Sequence, residues 1–149
     1  ITEAGTTYSG LIKSSVGIGT LLAEGIGNTI RVSLTGEPEQ EVEAGIEILS
    51  SLKLRKKYIE LISCPTCGRV EIDLIKISQK LEPELKKIKK SLKVALMGCV
   101  VNGPGEAKDA DIGVACGKGE AILFIKGKQI RKIKEEDIIS ELLFEIDKI

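Results

Sequence analysis

An α/β fold is the reading this chain supports, and three observations carry it. Helical and strand periodicities alternate along its whole length. Two short apolar strands each deliver a cysteine at their carboxyl end, and an amphipathic helix closes the chain.

The elements follow in order. Leu11, Ser15, Ile18 and Leu22 recur at helical spacing, and Gly25-Ile26-Gly27-Asn28 is a helix stop. Thr29 to Leu34 is a β-branched run that reads as a strand. Thr35-Gly36-Glu37-Pro38 opens a second helix with Glu39 and Glu41 in its first turn, where the dipole favours acids, and Val42, Ile46, Leu49 and Leu52 form its apolar stripe. This is an αβα run of a parallel-sheet protein, with a strand expected at its start, and it is too short to close a barrel alone. The charged segment Lys53-Leu54-Arg55-Lys56-Lys57 marks a boundary, so residues 1–53 and 58–149 are expected to be separate domains.

In the second part, Tyr58 to Ser63 reads as a strand. Val70, Leu74, Ile77 and Leu81 mark a helix that Pro83 is expected to break or kink before Leu85 and Ile88. Leu92 to Met97 is the next strand. Ile112 to Ala115, Ala121 to Ile125 and Gln129 to Ile133 are short strands joined by Lys-Gly and Gly-Lys turns. Ile138, Ile139, Leu142, Leu143 and Ile146 line the closing helix.

Composition narrows the function. The 149 residues carry 22 basic and 22 acidic side chains, so no net field attracts nucleic acid or an anionic membrane. Aromatic residues are 3% with no Trp, which leaves few platforms for stacking bases. No apolar run reaches the roughly 20 residues needed to span a bilayer, and no secretory leader is visible. Four cysteines without a leader point to a reducing compartment, the cytoplasm, where clustered thiols bind metal or do redox work. Ile1 does not normally follow a removed initiator methionine, and the sole methionine is Met97, so the chain is expected to be the C-terminal part of a longer polypeptide.

The chemistry concentrates in two segments. Cys64-Pro65-Thr66-Cys67-Gly68-Arg69 is followed, after 31 residues between Cys67 and Cys99, by Met97-Gly98-Cys99-Val100-Val101-Asn102-Gly103-Pro104-Gly105-Glu106. There is no histidine to share in ligation. If both strands run parallel in one sheet, their ends bring the thiols together, and Cys64 and Cys67 at a strand-to-helix passage would be favoured as thiolates by the helix N-terminus. Gly103-Pro104-Gly105 lets the backbone wrap closely around a ligand. An iron–sulfur cluster suits this arrangement. A structural zinc site more often has two close pairs, whereas 16 residues separate Cys99 from Cys116. A thioredoxin-like dithiol also fits strand–C-P-T-C–helix but leaves Cys99 and the N-G-P-G-E turn without a purpose. Plain packing accounts well for Cys116 and poorly for the C-P-T-C loop. The motif alone leaves the iron–sulfur, zinc and dithiol readings open.

S-C-P-T-C-G-R followed by M-G-C-V-V-N-G-P-G-E-A resembles the C-terminal region of the 4-hydroxy-3-methylbut-2-enyl diphosphate synthase family, iron–sulfur enzymes of the methylerythritol phosphate route to isoprenoids. I-T-E-A-G-T and I-R-V-S-L-T-G-E-P look like the last strands of that family's TIM barrel, so the resemblance covers essentially the whole chain. It implies the last βα units of a TIM barrel followed by a small α/β [4Fe–4S] domain of sulfite/nitrite reductase-like type. It also implies a cluster on Cys64, Cys67, Cys99 and Glu106. A carboxylate is harder and more readily displaced, so Glu106 is expected to be the exchangeable ligand; Cys116 is the softer rival for the fourth site, but the family typically has a small residue there, and it is expected to be a packed thiol.

The implied reaction opens 2-C-methyl-D-erythritol 2,4-cyclodiphosphate reductively and removes a hydroxyl as water, giving 4-hydroxy-3-methylbut-2-enyl diphosphate. Two electrons come from a flavodoxin or ferredoxin, in a homodimer. Glu3 matches an acidic residue at a strand end that handles protons, or else it caps the next helix. Arg31 and Ser33, alternating on one strand, match diphosphate-binding positions. Asn102 matches a contact to the substrate hydroxyl, or else it is a turn residue. Lys86, Lys87, Lys89 and Lys90 are a solvated helix face or a docking face for an acidic carrier. The basic residues of a full barrel lie upstream in that family, so this chain is expected to hold a cluster without turning over substrate. An electron-transfer module of ferredoxin type and a structural zinc or dithiol domain remain the alternatives.

Overall fold

The computed structural model describes residues 5–56, 58–101, 105 and 107–149, and the chain divides into two units, Ile1–Lys57 and Tyr58–Ile149. Glu3, Asn102 and Glu106 lie outside the described residues, as does the strand expected at the very start.

In the first unit, helix α1 (Thr7–Ala23) buries Gly10, Ser14, Ile18 and Leu22. The expected stripe holds at Ile18 and Leu22 but is one position off before them: Ser15 is exposed and Leu11 only half-buried. Gly10 and Ser14 are buried instead, since small residues are what a closely packed helix surface can bury. The helix ends in a Schellman motif: the Ile26 N–H donates to the Leu21 carbonyl at 2.9 Å, the Gly25 N–H donates to Leu22 at 3.0 Å, and Gly25 takes φ +77°.

A strand was expected over Thr29 to Leu34, and among the described residues that segment has no strand partner. An isolated parallel bridge joins Thr6 to Thr35. Propensity can extend a chain, but a strand exists only where a neighbour accepts its hydrogen bonds. The alternation survives nonetheless. Val32 is buried against Ile18, Ala44 and Ile48, while Arg31 is exposed and Ser33 half-buried.

Helix α2 (Pro38–Ser51) begins with proline at its first position and buries Ala44 and Ile48. Val42, expected inside, is 63% exposed. The Glu41 carboxylate turns inward to accept the Leu34 N–H at 2.8 Å, and this sets the rotation of the helix. With Glu41, Ala44 and Ile48 facing in, Val42 must face out.

The second unit is a five-stranded mixed sheet in the order β1 (Ile59–Ser63), β2 (Leu92–Met97), β3 (Ile112–Cys116), β4 (Glu120–Ile125), β5 (Lys128–Lys134). The first three strands are parallel and the last three antiparallel. Val94, Ala95, Leu96 and Met97 of β2 are all buried, which is why that strand reads as an unbroken apolar run rather than an alternation. Helix α3 (Leu74–Lys86) and helix α4 (Ile138–Lys148) pack Leu74, Leu81, Leu85, Ile138, Leu142 and Ile146 in one core with Val94, Leu96, Val114 and Leu123. A second, smaller core joins Ala95, Met97, Ala115 and Phe124 to Ala110.

Two expectations for α3 need correction. The helix starts at Leu74, with Asp73 capping it through an acceptor bond from the Lys76 N–H at 3.1 Å, so Val70 precedes it. It also runs through Pro83 to Lys86. Pro83 is exposed and in the last turns, so the carbonyl it strands can be hydrated, and buried Leu81 and Leu85 on either side hold the helix to the sheet. The β4–β5 turn places Lys126 and Gly127 at φ 49° and 73°, the two left-handed residues of a tight hairpin. Arg131 of β5 pairs with Glu141 and with the buried Glu145, the latter at 2.8 Å, which fastens α4 across the sheet end.

Candidate metal centre

Parallel pairing assembles the thiols. Ser63 of β1 lies opposite Leu96 of β2, and Met97 opposite Ala115 of β3, so Cys64, Cys99 and Cys116 all sit at the carboxyl edge of the three parallel strands. Two turns of backbone hydrogen bonding tie the Cys64–Glu71 loop to β2. The Cys64 N–H donates to the Leu96 carbonyl at 3.4 Å, and the Glu71 N–H to the Gly98 carbonyl at 3.3 Å. Within the loop, the Val70 N–H donates to the Cys67 carbonyl at 3.1 Å.

The four cysteines are free thiols in different surroundings: Cys67 exposed, Cys64 half-buried, Cys99 and Cys116 buried. The Gly98 N–H donates to the Cys64 Sγ at 3.2 Å, the kind of amide-to-sulfur bond that favours a thiolate or a sulfur ligand. Cys67 is held below the ordinary thiol range, first by the backbone N–H of Arg69 and then, against the opposing effect of desolvation, by the Arg69 guanidinium and the Val70 N–H. The cause anticipated from sequence, a helix N-terminus, is not the operative one, since α3 begins seven residues beyond Cys67. Burial pushes Cys116 up to about 12, with Glu135 and Cys64 adding to it, as suits a neutral packed thiol.

Among the described residues no group of three or more Cys, Asp or Glu side chains stands close enough to hold a metal. The chemistry of the donors still fits an iron–sulfur cluster. Cys64, with an amide donor, and Cys99 emerge at neighbouring strand ends, and Cys67, with a guanidinium, follows in the Cys64 loop. Arg69 and Gly98 were not singled out from the sequence as functional. The signal available was a glycine at a strand end directly before a cysteine, which marks close backbone approach.

Lys86 and Lys87 lie at the end of α3 remote from the thiol loop. Helix α3 has 13 residues, so Lys86 and Lys87 sit about 20 Å from its N-terminal end, which follows the thiol loop. Lys87 pairs with Glu84 at 2.7 Å, and Lys90 Nζ donates to the Ile146 and Asp147 carbonyls at 2.9 and 3.0 Å. These side chains largely serve the domain itself.

The family model described as the GcpE protein C-terminal domain matches residues 60–148, and that of the GcpE TIM-barrel domain matches residues 1–46. The chain belongs to the GcpE family. Its relatives named 4-hydroxy-3-methylbut-2-en-1-yl diphosphate synthase (flavodoxin) include those of Clostridium acetobutylicum, 63% identical over 147 residues, and Clostridium tetani, 62% identical over 149. The protein of that name from Geobacter sulfurreducens is 57% identical over 149 residues. These matches cover 99%, 100% and 100% of this chain but only 42%, 43% and 42% of the relatives. The chain thus corresponds to the C-terminal portion of GcpE proteins, and the resemblance read from its motifs is upheld. No helix among the described residues is long and apolar enough to cross a membrane.

Proposed function

We propose that this chain is the cluster-bearing portion of an enzyme that reductively converts 2-C-methyl-D-erythritol 2,4-cyclodiphosphate to 4-hydroxy-3-methylbut-2-enyl diphosphate, with loss of a hydroxyl as water. The observation that carries the reading is the shared edge of β1 and β2, where Cys64 and Cys99 emerge side by side and Gly98 bonds the Cys64 sulfur. Cys64, Cys67, Cys99 and Glu106 are the ligands of a [4Fe–4S] cluster. When bound, that group supplies electrons and a Lewis-acidic iron. Glu106, the hard donor in a soft set, is the exchangeable ligand.

The remaining residues bind and orient. Arg31 and Ser33 lie on one side of a segment whose other side, at Val32, is buried, and a guanidinium and a hydroxyl are donors that suit diphosphate oxygens. Glu3 handles a proton near the substrate and Asn102 contacts its hydroxyl. The first 53 residues form the end of a TIM barrel, and residues 58–149 the cluster domain. A flavodoxin, the donor printed in the relatives' names, or a ferredoxin delivers two electrons, and the assembled enzyme is a cytoplasmic homodimer.

Anaerobic reconstitution with iron and sulfide, followed by iron, acid-labile sulfide and zinc analysis, tests the reading. Iron and sulfide in equal amounts without zinc are expected, with an EPR spectrum that changes on adding the cyclic diphosphate to the complete enzyme. Stoichiometric zinc, or thiols that bind neither metal, overturns it.

A further inference from the structure

The backbone N–H and carbonyl of Gly98 are both engaged. Its N–H donates to the Cys64 Sγ at 3.2 Å, and its carbonyl accepts the Glu71 N–H at 3.3 Å. One residue's backbone therefore grips both ends of the Cys64–Glu71 loop, which carries two of the thiols. The absence of a side chain matters as much. A Cβ on Gly98 would stand 3.0 and 3.2 Å from the two Val70 methyls and 3.3 Å from Leu74 Cδ2, tighter than ordinary contact. Val70 is half-buried, and Leu74, at 4% exposure, is seated in the core at the first turn of α3. Leu74 cannot retreat, so an added methyl pushes Val70 outward, and Val70 is bonded through its N–H to the Cys67 carbonyl.

We propose that Gly98 is a positioning residue for the cluster, a latch whose N–H steadies the Cys64 sulfur and whose missing side chain lets the Cys64–Glu71 loop close on β2. The proposal rests on the cluster reading above. A hydrogen bond to a ligand sulfur stabilises the more negatively charged, reduced form of a cluster and so raises its reduction potential. Loosening the latch lowers it.

The test uses Gly98→Ala, Val70→Ala and the double variant, all in the full chain. In the reconstituted protein, an EPR-monitored redox titration is expected to show Gly98→Ala with a midpoint lower by about a tenfold change in the reduced-to-oxidised ratio, about 59 mV for one electron. The double variant, with the Val70 methyls gone, is expected to recover most of that shift while Val70→Ala alone changes little. In the metal-free protein, hydrogen exchange of the residue-98 amide reads the same latch without a cluster. It is expected to quicken severalfold in Gly98→Ala and in Cys64→Ala, and to slow again in the double variant. If wild-type chain takes up no iron and sulfide, the cluster reading fails and the exchange arm alone decides the latch. An unchanged amide in Gly98→Ala and Cys64→Ala, or a double variant no better than Gly98→Ala by either readout, overturns the inference.

Discussion

Gly113→Ala is the substitution whose outcome the sheet geometry dictates most directly. Ala95 and Gly113 are register partners at the centre of the parallel β2–β3 pair. A Cβ on Gly113 would lie 2.7 Å from the Ala95 Cβ, 2.8 Å from its carbonyl oxygen and 3.3 Å from its Cα. Two of those three atoms are backbone, so no rotamer change relieves the overlap and the strands themselves must separate. Overpacking of this kind costs about 1–3 kcal/mol. The reduced entropy of alanine in the unfolded chain returns roughly 0.5–1 kcal/mol. A net loss of about 1–2 kcal/mol corresponds to a roughly 5- to 30-fold shift in the opening equilibrium. Hydrogen exchange at the β2 and β3 amides, measured where exchange reports equilibrium opening, should accelerate by that factor. Adding Ala95→Gly should recover only part, because the carbonyl contact at 2.8 Å remains. Exchange equal to or slower than wild type in Gly113→Ala would refute the reasoning.

Other outcomes follow from the thiols and the ion pairs. In metal-free protein near neutral pH, iodoacetamide should modify Cys67 first, because it is exposed and lowered by Arg69, and Cys116 last, as peptide mapping would show. Cys116 stands at about 12 in the folded chain against the ordinary 9.0, so the stability this difference contributes is complete below pH 9 and lost as pH rises from about 9 to about 12. Urea melts across that range should fall less steeply in Cys116→Ala, which should also take up as much iron as wild type. Glu145 lies below its ordinary 4.5, held by Lys148 and Arg131, so Arg131→Met should destabilise at pH 7. That deficit should begin to shrink as pH falls below about 4.5 and vanish only below the lowered value of the folded carboxylate, as a series of melts from pH 7 downward would show.

Much of the second unit was readable in advance because its strands are local and strongly patterned. Val94 to Met97 is one continuous apolar run, and the two Lys-Gly turns require the positive φ that glycine supplies at residues 119 and 127. The C-P-T-C and M-G-C segments likewise announced themselves, since no other soft donors occur at such density. The first unit was less readable. Thr29 to Leu34 has strand-like residues, but pairing depends on what lies beside it rather than on its own composition. Val42 misled for a related reason: the rotation of α2 is set by the hydrogen bond from Leu34 to Glu41, a contact between elements that periodicity does not encode.

What the amino-acid order determined alone was the kind of chemistry: thiols in a set spacing, a family motif and a chain of alternating helices and strands. Only the folded chain decided which groups act on those thiols. The parallel register of β1 and β2 puts the Gly98 amide, 34 residues distant, on the Cys64 sulfur, and the late start of α3 leaves Cys67 to Arg69 rather than to a helix end. Hydrogen bonds and steric gaps of this sort act over a few ångströms in space, so they exist only once distant segments have been brought together.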